Sequence, residues 1–182
     1  PFPGQRAVLD RLLTSYLNSI RRATQSIYVL DLSGSMKGER IRALRTALVS
    51  LAGGSGSISS SGYAIFRQRE RVTIIGYSSR VRTPKVFTIS AKDPKKDLAR
   101  IRVAARQLDS DNGNTATYSA LREAYRVADR QVASNPGALT SVVLMTDGET
   151  NRGITSGQFS AFYRKLPQAT QTVPTFAVTI SQ

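Results

Sequence analysis

Apolar residues along this chain recur at two spacings, and the switches between them predict an alternation of helices and strands. Leu9, Leu12, Leu13, Tyr16, Leu17 and Ile20 fall on one helical stripe, which predicts an amphipathic helix within residues 1–25, on the flank of the main domain. Ile27-Tyr28-Val29-Leu30 is a continuous apolar run of strand length. Next, Ile41, Leu44, Leu48 and Leu51 return to helical spacing, with Glu39, Arg40, Arg42 and Arg45 on the outer side and Gly53-Gly54 as the stop. The Gly- and Ser-rich segment from Gly53 to Gly62 reads as a surface connector. Val72 to Tyr77 predicts a buried strand, and Val86 to Ile89 an antiparallel edge strand reached through a turn near Ser78 to Pro84.

The second half repeats the alternation. Leu98, Ile101, Ala105 and Leu108 mark one helix; Gly113-Asn114-Thr115 opens another, carried by Leu121, Tyr125, Ala128 and Val132 and halted at Asn135-Pro136-Gly137. Val142 to Met145 is a further strand, Phe159, Phe162, Tyr163 and Leu166 a helix, and Thr175 to Ile180 a last strand. Such alternation predicts an α/β fold: a mostly parallel central sheet with one antiparallel edge strand and helices on both faces. No internal repeat interrupts it.

Composition narrows the chemistry. With 182 residues, 40% of them hydrophobic, the chain can bury one full core, and no apolar run approaches transmembrane length. There is no Cys and no His, which excludes disulfides, thiolate and imidazole metal sites, and Ser-His-Asp hydrolysis. Pro1 stands where an initiator Met would, so the sequence is expected to be a fragment or a processed product whose targeting signals, if any, lie outside it.

What remains is oxygen chemistry. Asp31-Leu32-Ser33-Gly34-Ser35 follows the first apolar strand, at the carboxyl end where open α/β sheets place their ligands. A carboxylate and two hydroxyls are donors that hard divalent cations prefer, although the same residues also suit the cap of the next helix. Val142 to Met145 leads into Thr146-Asp147-Gly148-Glu149, again a strand followed by a carboxylate, and Thr115 offers a third hydroxyl between the two. If the strands bearing Asp31 and Asp147 are parallel neighbours, both carboxylates emerge at the same sheet edge.

Those three parts, DLSGS at 31–35, the threonine loop at 113–115 and TDG at 146–148, resemble the von Willebrand factor type A domain with its metal-ion-dependent adhesion site. The resemblance covers roughly residues 26–180 and implies a Rossmann-like domain over 26–182. It implies Mg²⁺, Mn²⁺ or Ca²⁺ held by Asp31, Ser33, Ser35, Thr115 and Asp147, with Gly34, Asn114 and Gly148 supporting those ligands. It further implies a protein partner that presents Asp or Glu to the ion, and an adhesive role at a bacterial envelope or outside the cell, with no catalysis. The family normally continues with another helix, strand and helix after the strand at 175–180. Their lack here leads us to expect a truncated domain, or one in which the amino-terminal helix covers the bare face. Ala116 also stands where relatives often carry a polar residue.

Rival readings come from charge and from the strand-end Asp. A net charge of +14 suggests an anionic partner: Arg67, Arg69 and Arg71 alternate, so an extended segment would put them on one face, with Arg80, Arg82 and Lys85 on the apposed side of the hairpin as the rest of that candidate face, or else the charge marks a solvated, aggregation-resistant edge. Nucleic acid ranks low as a partner, since no binding motif occurs and aromatics are not interleaved with the basic residues. An Mg²⁺-dependent phosphoryl-transfer enzyme is the alternative function. Against it, Ser33 stands where a haloacid-dehalogenase-like phosphatase needs its second Asp, the acids of a receiver domain are missing near Ile27, and there is no P-loop. The loop Asp109-Ser110-Asp111-Asn112-Gly113 begins like an EF-hand but lacks the required residues at Gly113, Asn114 and Ala120.

Overall fold

A computed structural model describes residues 22–54, 66–148 and 150–180. The expected amino-terminal helix and most of the Gly/Ser segment lie outside the described residues. In chain order the elements are β1 (Thr24–Asp31), a single 3-10 turn (Gly34–Met36), α1 (Glu39–Leu51), β2 (Arg71–Tyr77), β3 (Lys85–Thr88), α2 (Pro94–Arg106), α3 (Thr117–Ser134), β4 (Leu139–Thr146), α4 (Ser156–Tyr163), α5 (Gln168–Gln171) and β5 (Thr175–Thr179).

The strands form one five-stranded sheet in the order β3-β2-β1-β4-β5. β1 runs parallel to both β2 and β4, β5 is parallel to β4, and β3 is the antiparallel edge. β1 is central and covered on both faces, which is why Ile27 to Leu30 is continuously apolar rather than alternating. Leu30 and Leu32 join Met36, Leu44, Leu48 and Ile101 in the core beneath α1 and α2. Ile27, Val29, Ile75 and Tyr77 point the other way, into the core that α3 closes with Ala120, Ala124 and Ala128.

Local signals set the boundaries. Asp93 caps α2, accepting the Lys96 N–H at 3.1 Å, with Pro94 at the first helical position. Thr155 and Gln158 form a reciprocal capping box that starts α4. Gly53, at φ 74°, turns the chain out of α1 in the left-handed region that a side chain resists. The helix expected to open at Gly113 begins only at Thr117, because the preceding loop spends its backbone groups on neighbouring loops: Gly113 C=O on Gly34, Ala116 N–H on Ser78.

Two expectations about the basic residues are corrected. Arg67 and Arg69 do not share a strand face with Arg71. They occupy a turn ahead of β2, where Glu70 N–H bonds to Arg67 C=O at 3.2 Å and Arg69 has φ 69°. Nor do Arg71 and Lys85 lie together: Arg71 lines a groove against α3 with Val86 and Glu123, whereas Lys85 lines one against α2 with Phe87 and Val103. Strand alternation sends the two to opposite sides of the sheet.

Candidate metal centre

β1 and β4 are parallel neighbours, paired as far as Leu30 with Met145, so Asp31 and Asp147 leave the sheet at the same edge. β2 lies on one side of β1 and β4 on the other, which makes this edge a topological switch point. Asp31 is 0% exposed. One carboxylate oxygen accepts the Ser33 N–H at 2.9 Å and the other accepts the Thr146 hydroxyl at 2.7 Å. The Ser33 and Ser35 hydroxyls lie 3.2 Å apart, and Ser35 donates to Asp147 Oδ1 at 2.9 Å. Arg40 Nη1 completes the series, donating at 2.9 Å both to Asp147 Oδ2 and to the Ser35 carbonyl. Four of the five residues expected to act together are thus joined by direct or next-neighbour hydrogen bonds.

Thr115 arrives by a different route. Its loop is pinned to the β1 loop by Gly34 N–H to Gly113 C=O at 3.0 Å and Asp111 N–H to Leu32 C=O at 2.9 Å. On its other side, the Thr115 N–H donates to Asn151 Oδ1 at 2.8 Å. The Thr115 carbonyl accepts the Asn151 and Arg152 N–H groups and the Thr150 hydroxyl. Thr115 is buried between the loops after β1 and β4, but its hydroxyl takes no part in the bonds that link the other four.

The supporting residues divide. Gly34 ties the β1 loop to the threonine loop through its N–H on Gly113. Gly148 exchanges long contacts with the Thr146 hydroxyl, at 3.2 and 3.3 Å. Asn114 is held toward the β2–β3 turn instead, its N–H on Ser79 Oγ at 2.8 Å. Sequence reasoning quoted Thr146 and Gly113 within its motifs but gave them no role, and it missed the Thr150 to Arg152 segment altogether; at Gly113 a Cβ would stand 2.6 Å from Asp111 Oδ1. Thr146 had a signal, because the last residue of a parallel neighbour strand must stand beside Asp31. The Thr150 segment had none.

Arg82 belongs to this rim rather than to an open basic face, pairing with Asp111 at 3.3 Å. Partial burial of Asp111 disfavours its charge, but bonds from the Ser78 hydroxyl, the Gly113 N–H and Arg82 outweigh that and hold its carboxyl below the usual range. Burial first, and the charge of Asp31 second, push the Tyr77 phenol up to about 12, so it stays neutral under the sheet edge.

The donor set suits a hard cation. Among the described residues no three Asp, Glu, His or Cys side chains cluster, so hydroxyl oxygens have to supply part of any coordination. Asp147, whose side chain is 1% exposed, has Arg40 as its counter-charge, whereas Asp31 has no ion-pair partner among the described residues. A buried carboxylate without a cation is costly, and a divalent ion at this edge would offset that cost.

An α/β domain with oxygen donors gathered at its switch point is the class these observations define. The profile of the von Willebrand factor type A domain matches residues 26–149, and the chain belongs to that family. No curated protein matches the sequence. Among solved structures, the chain is similar to a von Willebrand factor type A protein from Catenulispora acidiphila, at 18% identity and TM-score 0.57, over 86% of this chain and 32% of that one. Proximal thread matrix protein 1 from the mussel byssus, solved with a zinc-occupied adhesion-site motif, gives 19% identity and TM-score 0.58 over 88% of this chain and 39% of that one. An aerotolerance-related membrane protein from Bacteroides fragilis gives 16% identity and TM-score 0.56 over 86% and 67%. At these identities the likeness is one of fold, and the chain spans well under half the length of the first two proteins.

Proposed function

We propose that this chain is a divalent-cation-dependent protein-binding module of the adhesion type, with Asp31, Ser33, Ser35, Thr115 and Asp147 as the cation's ligands. The observation that carries the reading is the continuous hydrogen-bonded series from Thr146 through Asp31, Ser33 and Ser35 to Asp147, set at the switch point between β1 and β4. Family membership supports it, as does the zinc-occupied motif of the mussel protein.

The residues divide the work by charge. Asp31 and Asp147 supply two negative charges, which balance Mg²⁺, Mn²⁺ or Ca²⁺, and the neutral hydroxyls add oxygens without adding charge. When bound, such an ion supplies a Lewis-acidic position able to take one further oxygen. Ser35 is exposed while Asp31 and Ser33 are buried, so a partner's Asp or Glu approaches from the Ser35 side. The Ser33 N–H and the Thr146 hydroxyl hold Asp31 in a fixed orientation, so little ordering is required at the moment of binding. One carboxylate contact gives modest affinity, and the surrounding surface supplies the rest.

The module acts without catalysis in this reading, as part of a longer protein at a cell envelope or outside the cell. The Bacteroides relative is described as a membrane protein, which fits; in this chain no helix among the described residues is long and apolar enough to cross a membrane. In this reading the module runs to residue 182 and begins with β1 at Thr24, two residues before the boundary expected from sequence, with residues 1–23 preceding it. Calorimetric titration with Mg²⁺ or Mn²⁺ tests the claim: the native protein binds one ion and Asp31→Ala loses that binding while keeping its circular dichroism. Equal affinity in the two proteins would overturn it.

A further inference from the structure

Arg40 is the second residue of α1 and, by helical spacing, belongs to the side turned away from the core. Instead of reaching into water, its guanidinium folds back onto the rim and pairs with Asp147 at 2.9 Å, leaving Arg40 27% and Asp147 1% exposed. The fit is incomplete. Guanidinium groups bind carboxylates best through two parallel N–H bonds, yet here a single nitrogen, Nη1, is shared between Asp147 Oδ2 and the Ser35 carbonyl. Arg40 Nε is buried and has no hydrogen-bond partner.

We propose that Arg40 is a surrogate cation: it neutralises Asp147 in the metal-free protein, competes with the divalent ion for that carboxylate, and so sets the ion concentration at which the site fills. The inference depends on the metal-binding reading above. The carboxylate whose Oδ2 takes Arg40 presents Oδ1 to Ser35, another ligand in that reading, so guanidinium and metal would lie within a few ångströms of each other. Their repulsion opposes joint occupancy, and a partly exposed side chain on the first turn of a helix is free to swing outward. Release also lets water reach the unpartnered Nε.

Titration of Mn²⁺ into the native protein, Arg40→Gln and Arg40→Lys tests this. Removing the competitor should tighten Mn²⁺ binding about tenfold in Arg40→Gln, the equivalent of one partly buried ion pair, while Arg40→Lys stays near the native value. Without metal, Arg40→Gln should melt below the native protein, and saturating Mn²⁺ should close the gap. Affinity in Arg40→Gln equal to or weaker than native overturns the proposal, as does a melting gap that saturation leaves open, since that is the mark of a purely structural contact. If neither protein binds Mn²⁺, both this proposal and the metal-binding reading fall; if both bind equally, only this one does. The native protein supplies a further readout that needs no variant. Its Arg40 Nε–H resonance, protected from solvent without metal, should move into fast exchange as Mg²⁺ is added, and a resonance unchanged at saturation overturns the proposal.

Discussion

The rim that carries Asp31 and the edge formed by β5 invert the usual distribution of residues in opposite ways. At the rim, polar side chains are buried: Asp31, Ser33 and Thr115 are shielded from water, and the loops that carry them bond to segments far away in sequence. Along β5, apolar side chains are exposed, with Phe176 57% and Val178 43% accessible. Pairing with β4 aligns these two with Val143 and Met145, on the sheet face that α1 shares. No strand pairs with the outer side of β5 among the described residues. Buried polar groups cost free energy unless satisfied, so each rim residue is fixed by its partners; exposed apolar groups constrain nothing nearby. The rim should therefore be intolerant of change and β5 permissive.

Four substitutions or conditions test that contrast, in falling order of effect. Leu30→Ala, directly beneath Asp31 in the core, should cost about 2–5 kcal/mol, read from the urea midpoint at constant slope. A loss below about 1 kcal/mol would mean that the rim is not seated on a packed floor. Gly113→Val should cost about 1–3 kcal/mol, since its Cβ would also meet Ser79 Oγ at 2.9 Å and Ser78 Cβ at 3.0 Å, and the side chains that bond this loop would have to shift. A neutral result would show that the rim loops adapt as freely as β5.

Acid should act more gently. The lowered carboxyl of Asp111 contributes stability that is fully present above its unfolded value of 3.8 and is lost as pH falls through the lower folded value. Because its side chain is 46% exposed, the contribution is below about 1 kcal/mol. Asp111→Asn should remove that part of the acid-dependent melting, and an unchanged acid limb would assign it to other carboxylates. Smallest of all, Phe176→Thr should shift stability, read from the urea midpoint, by no more than about 0.5 kcal/mol. A loss approaching that of Leu30→Ala would mean that β5 is packed after all and would dissolve the contrast.

Much of the fold was legible because the strands are strongly apolar and the helices strongly periodic. Leu44, Leu48, Ile101, Ala128 and Val142 are buried on the faces their spacing assigns. Asp31 and Asp147 could be placed at one edge because parallel topology leaves them nowhere else. What sequence could not give was the set of long-range partners. Arg40 and Arg45 read as outward charges on α1, yet Arg40 reaches Asp147, and Arg45 bonds the Leu108 carbonyl and pairs with Asp109 at 2.8 Å. The basic residues of 67–71 read as an alternating strand, but a turn in the left-handed region breaks the period at Arg69. Both failures have one origin: periodicity reports which side of an element faces the core, not which atom of a distant loop waits on the other side.

The Thr115 carbonyl, which accepts three donors from residues 150–152, has a mechanical consequence. Those residues lead within three positions to Thr155 and the start of α4, with Ile154 N–H bonded on the way to Ser119 Oγ, so the threonine loop and the helix that carries Phe159 and Tyr163 are joined by a short backbone run tied down at both ends.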